Sequence, residues 1–385
     1  MAIAAVALTD AAPINRRPSP SPTGHSVSLT RNDNYRHNTH AQIVKLNRRY
    51  PNLRVLATAT SGNVSLTNVK PDIEYFGTVL VGTPPQKVKL GSSDIWFPSK
   101  ACTSAACKNH VQFDSTKSTT FQKDGRPWNI AYGDGSTASG ILGTDVVNVG
   151  GVAVKQTIGL ATQESAAFGQ SPSDGLFGLG FNTIESVSGV KTFMDKAIAG
   201  GVLAQPVISV FLPSVRRNGG VGGEYLFGAI DNTKFTGNLT YAAVTRKGYW
   251  QIAITDVGFN NQSLGQASEG IIDTGTTLVI VGDAAAAAIH SNIQGAVNDP
   301  QNGWLVPCAA QNSTDNVSFA MGGGNFNIPV ADLAFEDLGD GSGNCFSGVQ
   351  GGQNDLWILG DVFIKNNYCV FDQGKSQVGI APLNY

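Results

Sequence analysis

The sequence predicts an all-β protein built as two similar lobes behind a basic leader, and three observations carry that expectation. Composition comes first: 46 glycines and only 14% charged residues, with short apolar runs broken by Gly, Asn and Ser, favour strands and tight turns over helical bundles. Length comes second, because 385 residues exceed one small core and suit two lobes of roughly 150 residues with an extension. The third is an internal echo. Gly91-Ser92-Ser93 and Gly275-Thr276-Thr277 are each followed about 80 residues later by an apolar-Gly element, Leu176-Phe177-Gly178 and Ile358-Leu359-Gly360. A duplicated lobe accounts for the echo economically.

The leader is set apart by charge. Residues 1–67 hold eight Lys or Arg against Asp10 and Asp33, leaving 18 basic and 26 acidic residues beyond, a net of −8 in a chain of net −2. A nucleic-acid partner is disfavoured, because the basic residues are scattered, few aromatics accompany them and the acidic body repels phosphate. A leader that neutralises an acidic cleft in its own body fits better. Met1 to Leu8 is apolar but short and lacks basic flanks, so it reads as the stub of a signal peptide. Residues 13–24, rich in Pro and Ser, are expected to be flexible. Ala41 to Tyr50 alternates apolar and basic positions as a short amphipathic helix that Pro51 ends. No apolar run is long enough to span a membrane.

From Asp72 the texture becomes β. Tyr75 to Val81 alternates, and Gly82-Thr83-Pro84-Pro85 is a turn into a further strand. Two short helices are predicted: Lys191–Ala199, closed by Gly200-Gly201, and Asp283–Ile293, with Asp283 as N-cap of an alanine run. The five cysteines fall as Cys102 with Cys107 and Cys308 with Cys345, Cys369 being left over. The first pair, in a small Gly/Ser-rich loop without a His or Cys cluster, reads as a local disulfide rather than a metal site. Cys369 lies in the apolar run Tyr368-Cys369-Val370-Phe371 and is expected to be a buried thiol, not a nucleophile. Disulfides imply oxidising surroundings, and sequons at Asn63, Asn238, Asn261, Asn312 and Asn316 accord with secretion.

The chemistry concentrates in Asp273-Thr274-Gly275-Thr276-Thr277, flanked by Ile271-Ile272 and Leu278-Val279-Ile280. An acidic residue beside a Gly that permits a sharp turn, with hydroxyls to hold the carboxylate, suits acid–base catalysis. Alone, Asp-Thr-Gly is also an ordinary β-turn. The other half of the echo, Lys89-Leu90-Gly91-Ser92-Ser93-Asp94-Ile95-Trp96, reads as a torn copy: no acidic residue stands between Glu74 and Asp94.

Seven ordered motifs decide between those readings. They are Tyr75-Phe-Gly-Thr-Val79, Gly82-Thr-Pro-Pro85, Gly91 to Trp96, Tyr132-Gly133-Asp134-Gly135-Ser136, Asp174-Gly-Leu-Phe-Gly-Leu-Gly180, Asp273 to Thr277, and Trp357-Ile-Leu-Gly-Asp-Val-Phe363. Together they resemble a pepsin-like aspartic protease of the secreted fungal, rhizopuspepsin type, from Asp72 to the last residue. The resemblance implies a bilobal pepsin-like fold and hydrolysis of peptide bonds at acid pH, without cofactor or metal. It rests on two carboxylates about 3 Å apart that share one proton, the best-known case of like charges splitting a pair of pKa values. One activates water and the other protonates the substrate carbonyl.

On this pattern Asp273 is the catalytic carboxylate of the second lobe, while Gly275, Thr276 and Thr277 contact substrate around it. Tyr132, Gly133 and Asp134 form the tip of a hairpin flap closing over substrate, and Asp134 suits acceptance of Lys beside the scissile bond. Trp96 braces the flap tyrosine. Residues 1–67 match a signal remnant and activation propeptide, 68–245 a first lobe with the flap and 246–385 a second lobe, with maturation between Arg54 and Asn68. Lys45, Arg48 or Tyr50 of the leader would reach the cleft. Expected partners are protein substrates, the chain's own propeptide and pepstatin-like inhibitors, and the expected state is a secreted monomer.

One departure is severe. Relatives read Leu-Asp-Phe-Asp-Thr-Gly-Ser-Ser-Asp where this chain passes from Leu90 directly to Gly91, so Gly91 and Ser92 are read as the remnant of a lost catalytic loop. Asp94 corresponds to a structural position and does not replace the missing carboxylate. The expectation is little or no peptidase activity, or a pseudoprotease that grips peptides without cutting them.

Overall fold

The computed structural model describes residues 25–28, 30–31, 75–92, 95–132, 136–170, 174–218, 223–352 and 356–384. The expected leader helix at 41–50, the sequon at Asn63, Ser93 and Asp94, and the flap residues Gly133 and Asp134 lie outside them.

Among the described residues, strands in four sheets dominate. Eight strands form the first lobe, ordered Thr30–Arg31, Tyr75–Val81, Gln86–Ser92, Gly175–Phe177, Trp96–Pro98, Val152–Glu164, Thr137–Val149 and Gln122–Ala131. Tyr75–Val81 also pairs with Thr137–Val149, curling the sheet back on itself. Alternation of side chains explains its one-sided core: along Val152–Glu164 Val152, Val154 and Ile158 are buried, while Ala153 and Lys155 are exposed.

An eleven-stranded sheet, with two four-stranded sheets against it, holds the strands of the second lobe together with strands from the leader and from residues 207–247. One flank of the large sheet mixes distant parts of the chain. The strand Val207–Phe211 pairs on one side with Glu224–Phe227 and on the other with Asn367–Asp372, so the middle and end of the chain are stitched together beneath the cleft. Every residue of Val207–Phe211 and Asn367–Asp372 is buried, as fits strands covered on both faces. Cys369 lies here, fully buried and reduced, and burial holds its thiol protonated. One apolar cluster runs through both halves, joining Val79, Phe97 and Phe113 to Val210, Ile271 and Phe371.

Both expected helices form, with shifted ends. The first is Phe193–Ala199, because Thr192 accepts from Asp195 N at 3.0 Å while the Asp195 carboxylate accepts from Thr192 N at 3.2 Å, a reciprocal cap that starts the helix two residues later than expected. Gly201, at φ +64°, turns the chain out of it. The second is Asp283–His290. Gly282 takes the cap position without a side-chain bond, and Asp283 is the first helical residue, where its charge meets the positive helix end. The expected extension to Ile293 is instead a tight turn, Ile293 N donating to His290 O. Disulfides join Cys102 to Cys107 and Cys308 to Cys345.

Candidate active site

Asp273 is presented by a loop whose shape follows from strand pairing. Ser268–Ile272 runs parallel to Leu356–Leu359, and Asp273 N extends that pairing by donating to Leu359 O at 3.0 Å. The chain then turns and returns as Val279–Gly282, antiparallel to the other edge of the same strand. Inside the turn, Gly275 N donates to Asp273 Oδ1 at 2.9 Å and Thr276 Oγ1 to Oδ2 at 2.6 Å. Both carboxylate oxygens are therefore held by donors, which orients the group.

The loop is clamped from beyond by the next helical turn. Asp361 N and Val362 N donate to Thr276 O and Thr277 O at 2.8 and 2.9 Å. Gly360 permits that approach, since a Cβ there would meet Thr276 O at 2.2 Å and Leu278 O at 2.5 Å. Thr276 and Thr277 are buried. Tyr225 stands beside the loop, where burial, then the negative charges of Asp361 and Asp273, raise its pKa. Sequence reasoning missed Tyr225, and quoted Asp361 within a motif without assigning it a place. No local pattern marks a tyrosine that arrives from a strand some fifty positions away; topology alone does.

Asp273 and Thr274 open onto a cavity of about 380 Å³, whose far wall carries Tyr132, Ile130 and Gly180. Tyr132 stands at the end of the hairpin formed by Gln122–Ala131 and Thr137–Val149, with Tyr132 N donating to Ser136 O at 2.9 Å. Trp96, buried to 1% exposure, donates its indole N–H to the Tyr132 hydroxyl at 2.5 Å. Phe168 packs edge-on against both rings, 5.0 Å from Trp96 and 5.8 Å from Tyr132.

The corresponding loop of the first lobe is shorter, and the pairing registers measure by how much. In the second lobe Ile358 is flanked by Ile271 in parallel and Ile280 in antiparallel, residues nine positions apart. In the first lobe Leu176 is flanked by Gly91 in parallel and Trp96 in antiparallel, only five apart. The connection is four residues shorter. Gly91 and Ser92 are consequently drawn into the strand Gln86–Ser92, at the registers that Ile271 and Ile272 hold in the other lobe. Closing the gap by an even number of residues preserves strand alternation and keeps the ladder bonds of the Gly175–Phe177 pairing.

Duplicated strand–loop–strand units facing a shared cleft, one presenting a doubly held aspartate, define the two-lobed aspartic-protease class. A family model described as Eukaryotic aspartyl protease matches residues 74–383, and the chain belongs to that family. It is 41% identical to Rhizopuspepsin-4 of Rhizopus niveus over 387 residues, covering 95% of this chain and 94% of that one. Rhizopuspepsin of Rhizopus chinensis is 39% identical over 398 residues, covering 100% and 97%. Pepsin A of Canis lupus familiaris is 39% identical over 325 residues, covering 81% and 82%. Relatives of this kind are aspartic proteases, so the chain is an aspartic endopeptidase by family with peptides as its substrate class.

Proposed function

We propose that the chain is the precursor of a secreted acid endopeptidase from which the catalytic loop of the first lobe has been excised, leaving Asp273 as its single catalytic carboxylate. The observation that carries this reading is the five-residue spacing across Leu176 against the nine-residue spacing across Ile358. In the complete arrangement one aspartate takes a proton from water as its oxygen attacks the substrate carbonyl carbon, while the other protonates the carbonyl oxygen. The tetrahedral adduct then collapses as the amide nitrogen gains a proton and the C–N bond breaks. With one carboxylate the proton has no second holder, and each lost acid–base contribution costs roughly 10² to 10⁴ in rate.

Residues 1–67 act as signal remnant and propeptide, 68–245 and 246–385 as the two lobes, and maturation falls between Arg54 and Asn68. Two leader strands support this: His25–Ser28 pairs with Glu224–Phe227, and Thr30–Arg31 with Phe76 and Tyr75. Tyr132 with Gly133 and Asp134 closes over substrate, Trp96 braces Tyr132, and Gly275, Thr276 and Thr277 line the catalytic side. Among the described residues no helix is long and apolar enough to cross a membrane. The sequon residues Asn238, Asn261 and Asn312 are exposed, whereas Asn316 is half-buried with its side-chain amide donating to Thr314 O at 3.1 Å. Glycans are therefore expected on the first three, read as a mass loss on endoglycosidase treatment. The protein is expected to run as a monomer and to bind pepstatin-like inhibitors.

The deciding experiment compares acid-pH hydrolysis of a denatured protein by this chain and by a variant with Asp-Phe-Asp-Thr inserted between Leu90 and Gly91, each with and without a statine-type inhibitor. Cleavage by the insertion variant alone, blocked by inhibitor, supports the reading. Inhibitable cleavage by the chain itself sinks it. A second reading, a pseudoprotease that holds peptides without turnover, is favoured by the open 380 Å³ cavity and the Trp96–Tyr132 bond beside it. Its test is calorimetric binding of a peptide that is recovered uncut.

A further inference from the structure

Tyr132 is held from two sides. Its hydroxyl accepts from the Trp96 indole, and its ring rests edge-on against Phe168 with 5.8 Å between centres. Trp96 opens the strand Trp96–Pro98 and is buried in the core. Phe168 belongs to no strand. It opens the short turn Phe168–Gln170, and whatever holds that turn decides how firmly Tyr132 is backed.

The turn is tied at its start to the flap hairpin and at its end to a different loop. Ser165 N donates to Thr137 O at 2.9 Å, Thr137 N donates to Ser165 Oγ at 3.1 Å, and Phe168 N closes onto Ser165 O at 3.1 Å. The next two carbonyls are taken by side chains from the turn Ala106–Asn109 and its cap: His110 Nε2 lies 3.0 Å from Phe168 O, and Asn109 Nδ2 donates to Gly169 O at 2.9 Å. A carbonyl can only accept, so Nε2 carries the proton and His110 is the donor. His110 is itself well placed. Its side chain is 3% exposed, Nδ1 stands 3.8 Å from Asp174 Oδ1, and the following amide, Val111 N, donates to that same oxygen at 2.9 Å. Behind it the disulfide Cys102–Cys107 closes the loop, and His110 N donates to Cys107 O at 3.3 Å. The two turns approach so closely that a Cβ on Gly169 would meet Ala106 Cα at 3.2 Å. Water replaces a bond in such a site poorly, so loss of the donor loosens the turn.

We propose that His110, with Asn109 beside it, is a positioning residue for the flap tyrosine: its bond to the Phe168 carbonyl fixes the ring that backs Tyr132. A disulfide-closed loop outside the described cavity wall thereby sets how Tyr132 stands over the cavity. This rests on the reading of Tyr132 as part of a flap that closes over substrate.

Substitutions that separate the donor from its bulk test it. Gln carries an amide nitrogen able to take the place of Nε2, whereas Leu fills the space and cannot donate. In the variant with Asp-Phe-Asp-Thr inserted, His110→Leu is expected to raise KM for a peptide substrate roughly threefold, within the net worth of one hydrogen bond, while kcat stays within about twofold. His110→Gln should return KM to the parent value. An unchanged KM in His110→Leu overturns the role; a rise that His110→Gln shares in full assigns the effect to ring packing and overturns it too. In the chain as it exists, amide hydrogen exchange at Asn129 to Tyr132 and Ser136 to Ser139 should quicken in His110→Leu and keep the parent rate in His110→Gln. Asn109 is exposed, so Asn109→Ala decides the matter where His110→Leu does not fold: exchange at the same amides should quicken, and parent rates overturn the proposal. If the insertion variant with His110 intact fails to cut, the proposed function fails, while the exchange experiment still judges the positioning role.

Discussion

Trp96 holds Tyr132 through a single indole N–H, and the rest of its surface is packing: Trp128 lies 5.7 Å away and Phe168 5.0 Å away between ring centres. Trp96→Phe keeps an aromatic body there and deletes the donor, so the flap tyrosine loses its anchor while the core keeps most of its contacts. Calorimetric affinity for a statine-type inhibitor is expected to drop about three- to tenfold, the usual net worth of one hydrogen bond. An affinity within error of the parent contradicts the bracing role. Asp273 and Trp96 were legible in the sequence because each sits inside a short motif that carries its own chemistry. Tyr225 was not, since its place beside the Asp273 loop comes from the sheet and not from any local motif. Glu164 was equally silent: it ends the strand Val152–Glu164 and is buried, and its carboxylate oxygens have no hydrogen-bond partner among the described residues. Nothing in Thr162-Gln163-Glu164-Ser165 distinguishes it from a surface acid.

The loop around Asp273 depends on the element that follows Leu359 as much as on its own residues. Asp361 N and Val362 N close onto Thr276 O and Thr277 O only because position 360 has no side chain. Gly360→Ala places a carbon against two carbonyl oxygens, at 2.2 and 2.5 Å, and neither belongs to a flexible side chain that can swing away. The expected cost is about 2–4 kcal/mol, with a lowered urea midpoint at unchanged slope. A midpoint equal to the parent's refutes the clamp. At this scale the strands were readable from alternation, and the helices from alanine-rich or glycine-closed runs. Their ends were decided by contacts that a pattern does not contain, such as the reciprocal Thr192–Asp195 cap. The place of Gly91 and Ser92 in a strand has the same origin. Local sequence does not contain the pairing with Leu176 and Phe177, whose ladder bonds a shortened connection reaches only by lengthening the strand.

Across the whole molecule, two buried titratable groups bias stability in opposite directions with pH. Burial, then the negative charge of Asp174, pushes Glu164 up to about 7 from 4.5. The folded protein therefore keeps a proton that the unfolded chain releases between pH 4.5 and 7, and stability falls as pH rises through that window. His290, in the helix Asp283–His290 of the other lobe, is pushed down to about 4 from 6.5, chiefly by burial. Its ring lies stacked on Trp304 with centroids 4.3 Å apart, while its nitrogens bond Ala286 O and the Ser347 hydroxyl. Here the unfolded chain binds the extra proton, so stability falls as pH drops from 6.5 through 4. Between pH 4.5 and 6.5 the two slopes oppose each other, and neither alone sets the pH of greatest stability. Removing one exposes the other. In Glu164→Gln, Tm relative to the parent is expected to gain on moving from pH 5 towards 7, because the variant no longer loses stability by ionising there. In His290→Gln the difference from the parent should tilt the other way, improving on moving from pH 6.5 towards 4. Calorimetry at half-unit pH steps reads both tilts, each a few degrees. Where the lobes melt as separate transitions, the Glu164 tilt belongs to the first lobe and the His290 tilt to the second. Parallel tilts in the two variants would mean that other carboxylates, not this opposed pair, govern the pH response.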